Sequence, residues 1–295
     1  MAATEKGAQT RSVAAKVVTA VHLDTSLQIE RCKAGRKAKP IVSFLRDFRF
    51  VSTSSYAKLE FKRAWLQRLA YLYSLSGQVK TIGELSGVLA DKLGSHPLHR
   101  RQLSTCLQAI EAFLLPTNDK ISEAVQLTRM RAHLRVAVLN AYSWWEASVT
   151  HEYNGTNCIR ASERPRISGG GKLDVSIPKC RRNAIRCRIH SFLQDNREHL
   201  RAIKAEIDRL GSNASDELKG ARAVLDIFED DAEKMCQDDI CVKLGDILVA
   251  IDGINIESFA ANNDKEWVPL ARALQKHLLN PLRLQNCESL QQPGG

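Results

Sequence analysis

Six side chains near the two ends of this 295-residue chain, among its 33 Asp and Glu and several Asn, could together hold a divalent cation. Near the start, the apolar run VVTAVHLDTS leads straight into Asp24, and SSYAKLEF then presents Glu60. Near the end, CVKLGDILVAIDG carries Asp246, and ESFAANNDKEW carries Asn263, Asp264 and Glu266. Segments this far apart converge only through the fold, and a hard cation with oxygen ligands, Mg²⁺ or Mn²⁺, is the usual reason to gather carboxylates. Such ions activate water and stabilise charge on the attacking and leaving oxygens of a phosphodiester, so no side-chain nucleophile is needed. GxSxG, the P-loop and HExxH are all missing from the chain. Asp264 and Glu266 also suit the acidic first turn of a helix.

The rest of the composition points to a polyanionic partner. The net charge is +10 and the pI about 9.3, which favours nucleic acid over other partners. Residues 158–204 hold twelve Lys or Arg against four Asp or Glu. Lys179, Arg181, Arg182, Arg186 and Arg188 lie close together there, as phosphate contacts would that add affinity without sequence choice. No stretch reaches the length of a membrane span, and the first residues have no sustained apolar core. A cytoplasmic protein without membrane contact is expected. Eight cysteines without a secretory signal read as thiols or metal ligands rather than a disulfide frame. Cys158, Cys180, Cys187 and Cys236 could make a structural zinc site, although their spacing lacks the tight CxxC; isolated thiols are the alternative.

The acids need elements to place them. KVVTAVHL is rich in β-branched residues, the mark of a strand buried on both faces of a parallel sheet, and Asp24 follows at its carboxyl end, where α/β proteins collect ligand groups. Thr25 and Ser26 suit a helix start, so Asp24 also suits a cap. The helix runs to about Cys32, and KAGRKAKP reads as a loop before a short helix, IVSFLRDF. A strand at RFVST follows, then a helix from YAKLEF to Leu75, capped by Ser54 or Ser55, with Glu60 in its first turn. Residues 78–150 read as wholly helical and 151–178, with three successive glycines, as a loop. Helices are expected over 190–211, 216–235 and 239–253, a short strand at ESFAA, and a last helix over 266–279. Residues 1–15 and the tail from 285 read as disordered.

The succession of a hydrophobic strand ending in LDTS, then SSYxxxEF, C-x3-GDxLVA and N-x-x-EW resembles the PIN-domain nucleases over residues 17–66 and 236–280. The resemblance implies an α/β fold of PIN-like, three-layer type with a central parallel sheet. Its core would be 16–77 and 212–284, enlarged by a mostly helical insertion over 78–211 with a basic loop at 151–188. It makes Asp24, Glu60, Asp246 and Asn263 the catalytic set, with Asp24, Glu60, Asp246 and Asp264 as metal ligands. Thr25 or Ser26 matches the family's small hydroxyl residue and would face the nucleic acid. The implied activity is hydrolysis of single-stranded RNA, with RNA favoured over DNA, and an inhibitory protein partner is common among such nucleases. Two departures stand out: Asn263 occupies the place of the fourth acid, and the gap between Glu60 and Asp246 far exceeds that of compact members. The first keeps open a non-catalytic nucleic-acid-binding or scaffolding module of the same fold.

Overall fold

A computed structural model describes residues 19–33, 37–94, 100–114, 121–178, 180, 187–230 and 238–283. Strand β1 (Ala20–Leu23) ends the first apolar run, and its last three residues are buried. It forms the centre of a five-stranded sheet. On one side lie β2 (Phe50–Ser54) and then β3 (His151–Tyr153); on the other lie β6 (Ser258–Ala260) and then β7 (His277–Leu279). Every neighbouring pair is parallel. The chain therefore steps outward from β1 to β3 and then crosses back to the far side of β1. That reversal leaves a crevice beyond the carboxyl ends of β1 and β6, the place where open α/β sheets bind ligands.

Both sheet faces are covered, as a nearly continuous apolar strand requires. Val21, Leu23, Val51 and Ala260 pack with Leu27 of α1 (Thr25–Cys32) and with Ile41 and Leu45 of α2 (Ala38–Arg46). The alternate residues His22, Ser52 and Ser54 are fully buried on the opposite face, and helix α12 (Gly245–Asp252) covers them. Hydrogen bonds join several of these groups within that layer. His22 Nδ1 and the Ser52 hydroxyl hydrogen-bond at 2.9 Å, and the Ser54 hydroxyl donates to Asp252. Burial lowers the His22 pKa to about 3, so the ring is neutral. Gly253 lies against that imidazole, and a Cβ there would come within 2.5 Å of two ring carbons. Gly253→Ala is accordingly expected to cost about 1–3 kcal/mol through overpacking. A urea titration checks this through a lower midpoint at unchanged slope.

Between β2 and β3 most of the described residues are helical. Ser54 caps α3 (Ser55–Phe61) by accepting from the Tyr56 amide, which puts Glu60 in the second turn rather than the first. A π-helical stretch (Lys62–Leu66) joins α3 to α4 (Gln67–Ser76). Then come α5 (Ile82–Leu93), α6 (Arg100–Phe113) and α7 (Glu123–Glu146). They build the larger hydrophobic cluster around Trp65, Leu69, Leu72, Tyr142 and Trp145. The return to β6 uses α8 (Ile189–Asp195), α9 (Arg197–Leu210), α10 (Asp216–Asp230), α11 (Asp238–Lys243) and α12. Helix α13 (Asp264–Ala273) links β6 to β7.

Several elements depart from the sequence reading. His151–Tyr153, expected as loop, is an edge strand of the central sheet, held by a Lys58–Glu152 ion pair at 2.9 Å and by Ser55 donating to Asn154 at 2.8 Å. The segment 78–211 thus supplies a sheet strand, and its helices are the crossover that places it. The expected loop at 151–188 also contains the short antiparallel pair β4 (Arg166–Ile167) and β5 (Leu173–Asp174). The last helix stops at Ala273, because Gln275 takes a positive φ of 55° and the chain then turns into β7. The helices expected over 190–211 and 239–253 each break once, at Asn196 and Leu244, where the backbone leaves helical geometry. Helix α2 begins inside the expected loop, with Pro40 in its first turn, where the missing amide costs nothing. The expected terminal disorder, at residues 1–15 and in the tail from 285, lies outside the described residues. Among the described residues no helix is long and apolar enough to cross a membrane.

Candidate metal centre

Asp24 leaves β1 at its carboxyl end and caps α1: one oxygen, Oδ2, accepts from the Ser26 amide at 3.0 Å and from the Ser26 hydroxyl. Its own amide donates to Ala260 O at 2.9 Å, which fixes it against β6 at the reversal of strand order. The second carboxylate oxygen, Oδ1, is buried and accepts no hydrogen bond. An acceptor left so costs about 1–3 kcal/mol unless a ligand meets it.

Glu60 reaches the same point from α3. The Thr25 hydroxyl donates to Glu60 Oε2 at 2.7 Å, and the other oxygen lies over Gly245, where a Cβ would come within 2.0 Å of it. Asp246 enters from the first turn of α12. Asp24, Glu60 and Asp246 each offer an oxygen, and these oxygens lie within 4.8 Å of one another. Three of the four expected metal ligands therefore converge, from a strand end and two helices.

The electrostatics of the cluster are unfavourable without a cation. Burial raises the Asp246 carboxyl well above its ordinary range, and the charges of Glu60, Asp24, Glu266 and Glu217 raise it further. Burial also raises Asp24, and the hydrogen bonds from Ser26 oppose this. An ion bound among these groups would cancel their repulsion and meet the orphaned Asp24 oxygen. An all-oxygen donor set fits hard divalent cations, and the residues present fit such a group.

A cavity of about 700 Å³ opens on the triad. Thr25, Ser26, Tyr56 and Asn263 line it, helices α6 and α10 contribute Thr105 and Gly220, and Arg63, Arg68 and Lys243 bring positive charge. Asn263 stands in this cavity as expected. Asp264 does not serve the centre: it accepts from Asn280 at 2.9 Å and pairs with Arg283 at 2.5 Å, anchoring the segment after β7. Glu266, read as a helix-start charge, is instead buried and adds its field to Asp246. Thr25 and Ser26 line the cavity but spend their hydroxyls on Glu60 and Asp24, so they orient the acids.

Of the basic residues expected to contact phosphate, Lys179, Arg181, Arg182 and Arg186 lie outside the described residues, and Arg188 is exposed and not among those lining the cavity. Arg63 and Arg68 had a legible signal: they follow Glu60 by three and eight residues, a helical spacing that keeps them on its side. Cys236 likewise falls outside the described residues, whereas Cys158, Cys180 and Cys187 share a neighbourhood with Cys241. No family model matches this chain, and no curated protein or solved structure matches it either.

Proposed function

We propose that this chain is a metal-dependent nuclease of PIN-like type that hydrolyses single-stranded RNA. The observation that carries the reading is the meeting of Asp24, Glu60 and Asp246 at the reversal of strand order, in a chain of net charge +10. Mg²⁺ or Mn²⁺ held there would supply a deprotonated water and neutralise charge on the phosphodiester. The chain's own residues do the rest. Ser26 and Thr25 fix the directions of the Asp24 and Glu60 carboxylates. Arg63, Arg68 and Lys243 stand where backbone phosphates would enter the cavity.

Labelled single-stranded RNA, incubated with and without Mn²⁺ beside an Asp24→Asn variant, tests this directly. Metal-dependent cleavage that disappears in the variant supports the nuclease. Asn263, an amide among the cavity residues, favours a second reading, a binding module of the same fold without turnover. Bound but intact RNA in every lane would select it. Arg68→Ala is expected to weaken RNA binding several-fold and to reduce the salt dependence of log K by about 0.7 for one lost phosphate contact on a single strand. Stabilisation by Mn²⁺ should not change, and binding isotherms at three salt concentrations check both statements.

A further inference from the structure

Cys158 and Cys241 lie near Tyr56, a wall residue of the acidic cavity, and Cys180 and Cys187 share the neighbourhood of Cys241. The turn after β3 carries Cys158, whose amide donates to Asn154 Oδ1 at 2.9 Å. Two tethers bring the other stretches to this turn. Arg160 Nε donates to Pro178 O at 3.0 Å, two residues before Cys180, and the Arg188 amide donates to Thr156 O at 2.8 Å, next to Cys187. Cys241 comes from α11, and its carbonyl accepts from the Tyr56 hydroxyl. Burial raises the Cys241 thiol to about 12, and the Cys187, Cys180 and Cys158 sulfurs act on it in the same direction.

We propose that Cys158, Cys180, Cys187 and Cys241 bind one structural zinc ion. Each thiol gives its proton to water and its sulfur to the metal, and four such ligands leave no open position for catalysis. The carboxylate triad already has its oxygens within 4.8 Å of one another, whereas no three of these sulfurs do, so the ion would draw the three stretches together. Closing them would fix α11 and the Leu244 break that leads into Asp246. The site thereby differs from the sequence expectation in one ligand, Cys241 in place of Cys236.

Elemental analysis of the full-length protein, purified under reducing conditions with Zn²⁺ and then dialysed, reads the result. One zinc per chain is expected, falling at least tenfold in Cys187→Ser and in Cys241→Ser and unchanged in Cys236→Ser. Replacing the metal by Co²⁺ in the unaltered protein avoids dependence on variants that fold poorly. Intense thiolate-to-cobalt charge transfer with a tetrahedral d–d envelope is expected. A chain that takes up no zinc, a cobalt spectrum without thiolate bands, or zinc kept in Cys241→Ser and lost in Asp246→Asn would overturn the assignment.

Discussion

Asp246→Asn is expected to abolish metal-dependent cleavage while making the metal-free protein more stable. The two effects share one cause. Asp246 is the acid on which burial and the charges of Glu60, Asp24, Glu266 and Glu217 all act in the same direction. An amide of the same shape removes a ligand and, with it, the charge that the others repel. Losing a first ligand should lower metal affinity beyond the roughly 10- to 100-fold typical of an outer-shell change, and cleavage should fall with it. In the metal-free state the variant should gain stability at neutral pH, because an amide carries no charge for burial and the neighbouring acids to oppose.

The pH dependence has a definite sign. A carboxyl whose folded pKa is raised stabilises the fold below its unfolded value, near 4, and that contribution is lost as pH rises through the folded value. Metal-free wild type should therefore lose stability on going from pH 4 towards neutrality, and Asp246→Asn should lose less. Added Mn²⁺ reverses the penalty in wild type, where its thermal shift should grow with pH, and should leave the variant nearly unmoved. Thermal unfolding of both proteins across that range, with and without Mn²⁺, decides the matter. A variant less stable than wild type without metal would mean that Asp246 is held by partners rather than pressed by like charge.

The parts of this centre that were legible in the sequence are those with local causes. An apolar β-branched run must end at a sheet edge, so Asp24 could be placed from the run alone. Glu60 and Asp246 were singled out by the short motifs that carry them, SSYAKLEF and GDILVA. What failed to show was decided by distant partners. Asp264 and Glu266, two residues apart at one helix start, read alike, yet Asn280 and Arg283 take the first while the fold buries the second beside Asp246. Strands β3 and β7 are three residues each, too short for alternation to register, and each is an edge strand that exists through its one neighbour. HLL at 277–279 continued a helical pattern well enough until Gln275 turned the chain.

Gly245→Ala is expected to disable the centre without touching a ligand. The two ends of α12 carry glycines in close contact with different things: Gly253 meets the His22 ring, and Gly245 meets the Glu60 carboxylate. At Gly245 a Cβ would come to 2.0 Å from Oε1, 3.2 Å from Cδ of Glu60 and 3.5 Å from Tyr56 Cε1. The carboxylate is the part that can yield, because it ends a flexible side chain, and yielding takes it off the Thr25 hydroxyl and away from Asp246. Alanine is otherwise acceptable at the first position of a helix, where it gains up to about 1 kcal/mol over glycine. Metal-free stability should therefore change little, while the Mn²⁺ dissociation constant rises about 10- to 100-fold. Gly253→Ala should show the opposite pair, a lower urea midpoint with metal affinity kept. Calorimetric Mn²⁺ titration and urea unfolding of both variants separate the cases. Equal metal affinity in Gly245→Ala and wild type would show that Glu60 can take another route to the ion, and would remove the close approach of α12 and α3 from the account of the centre.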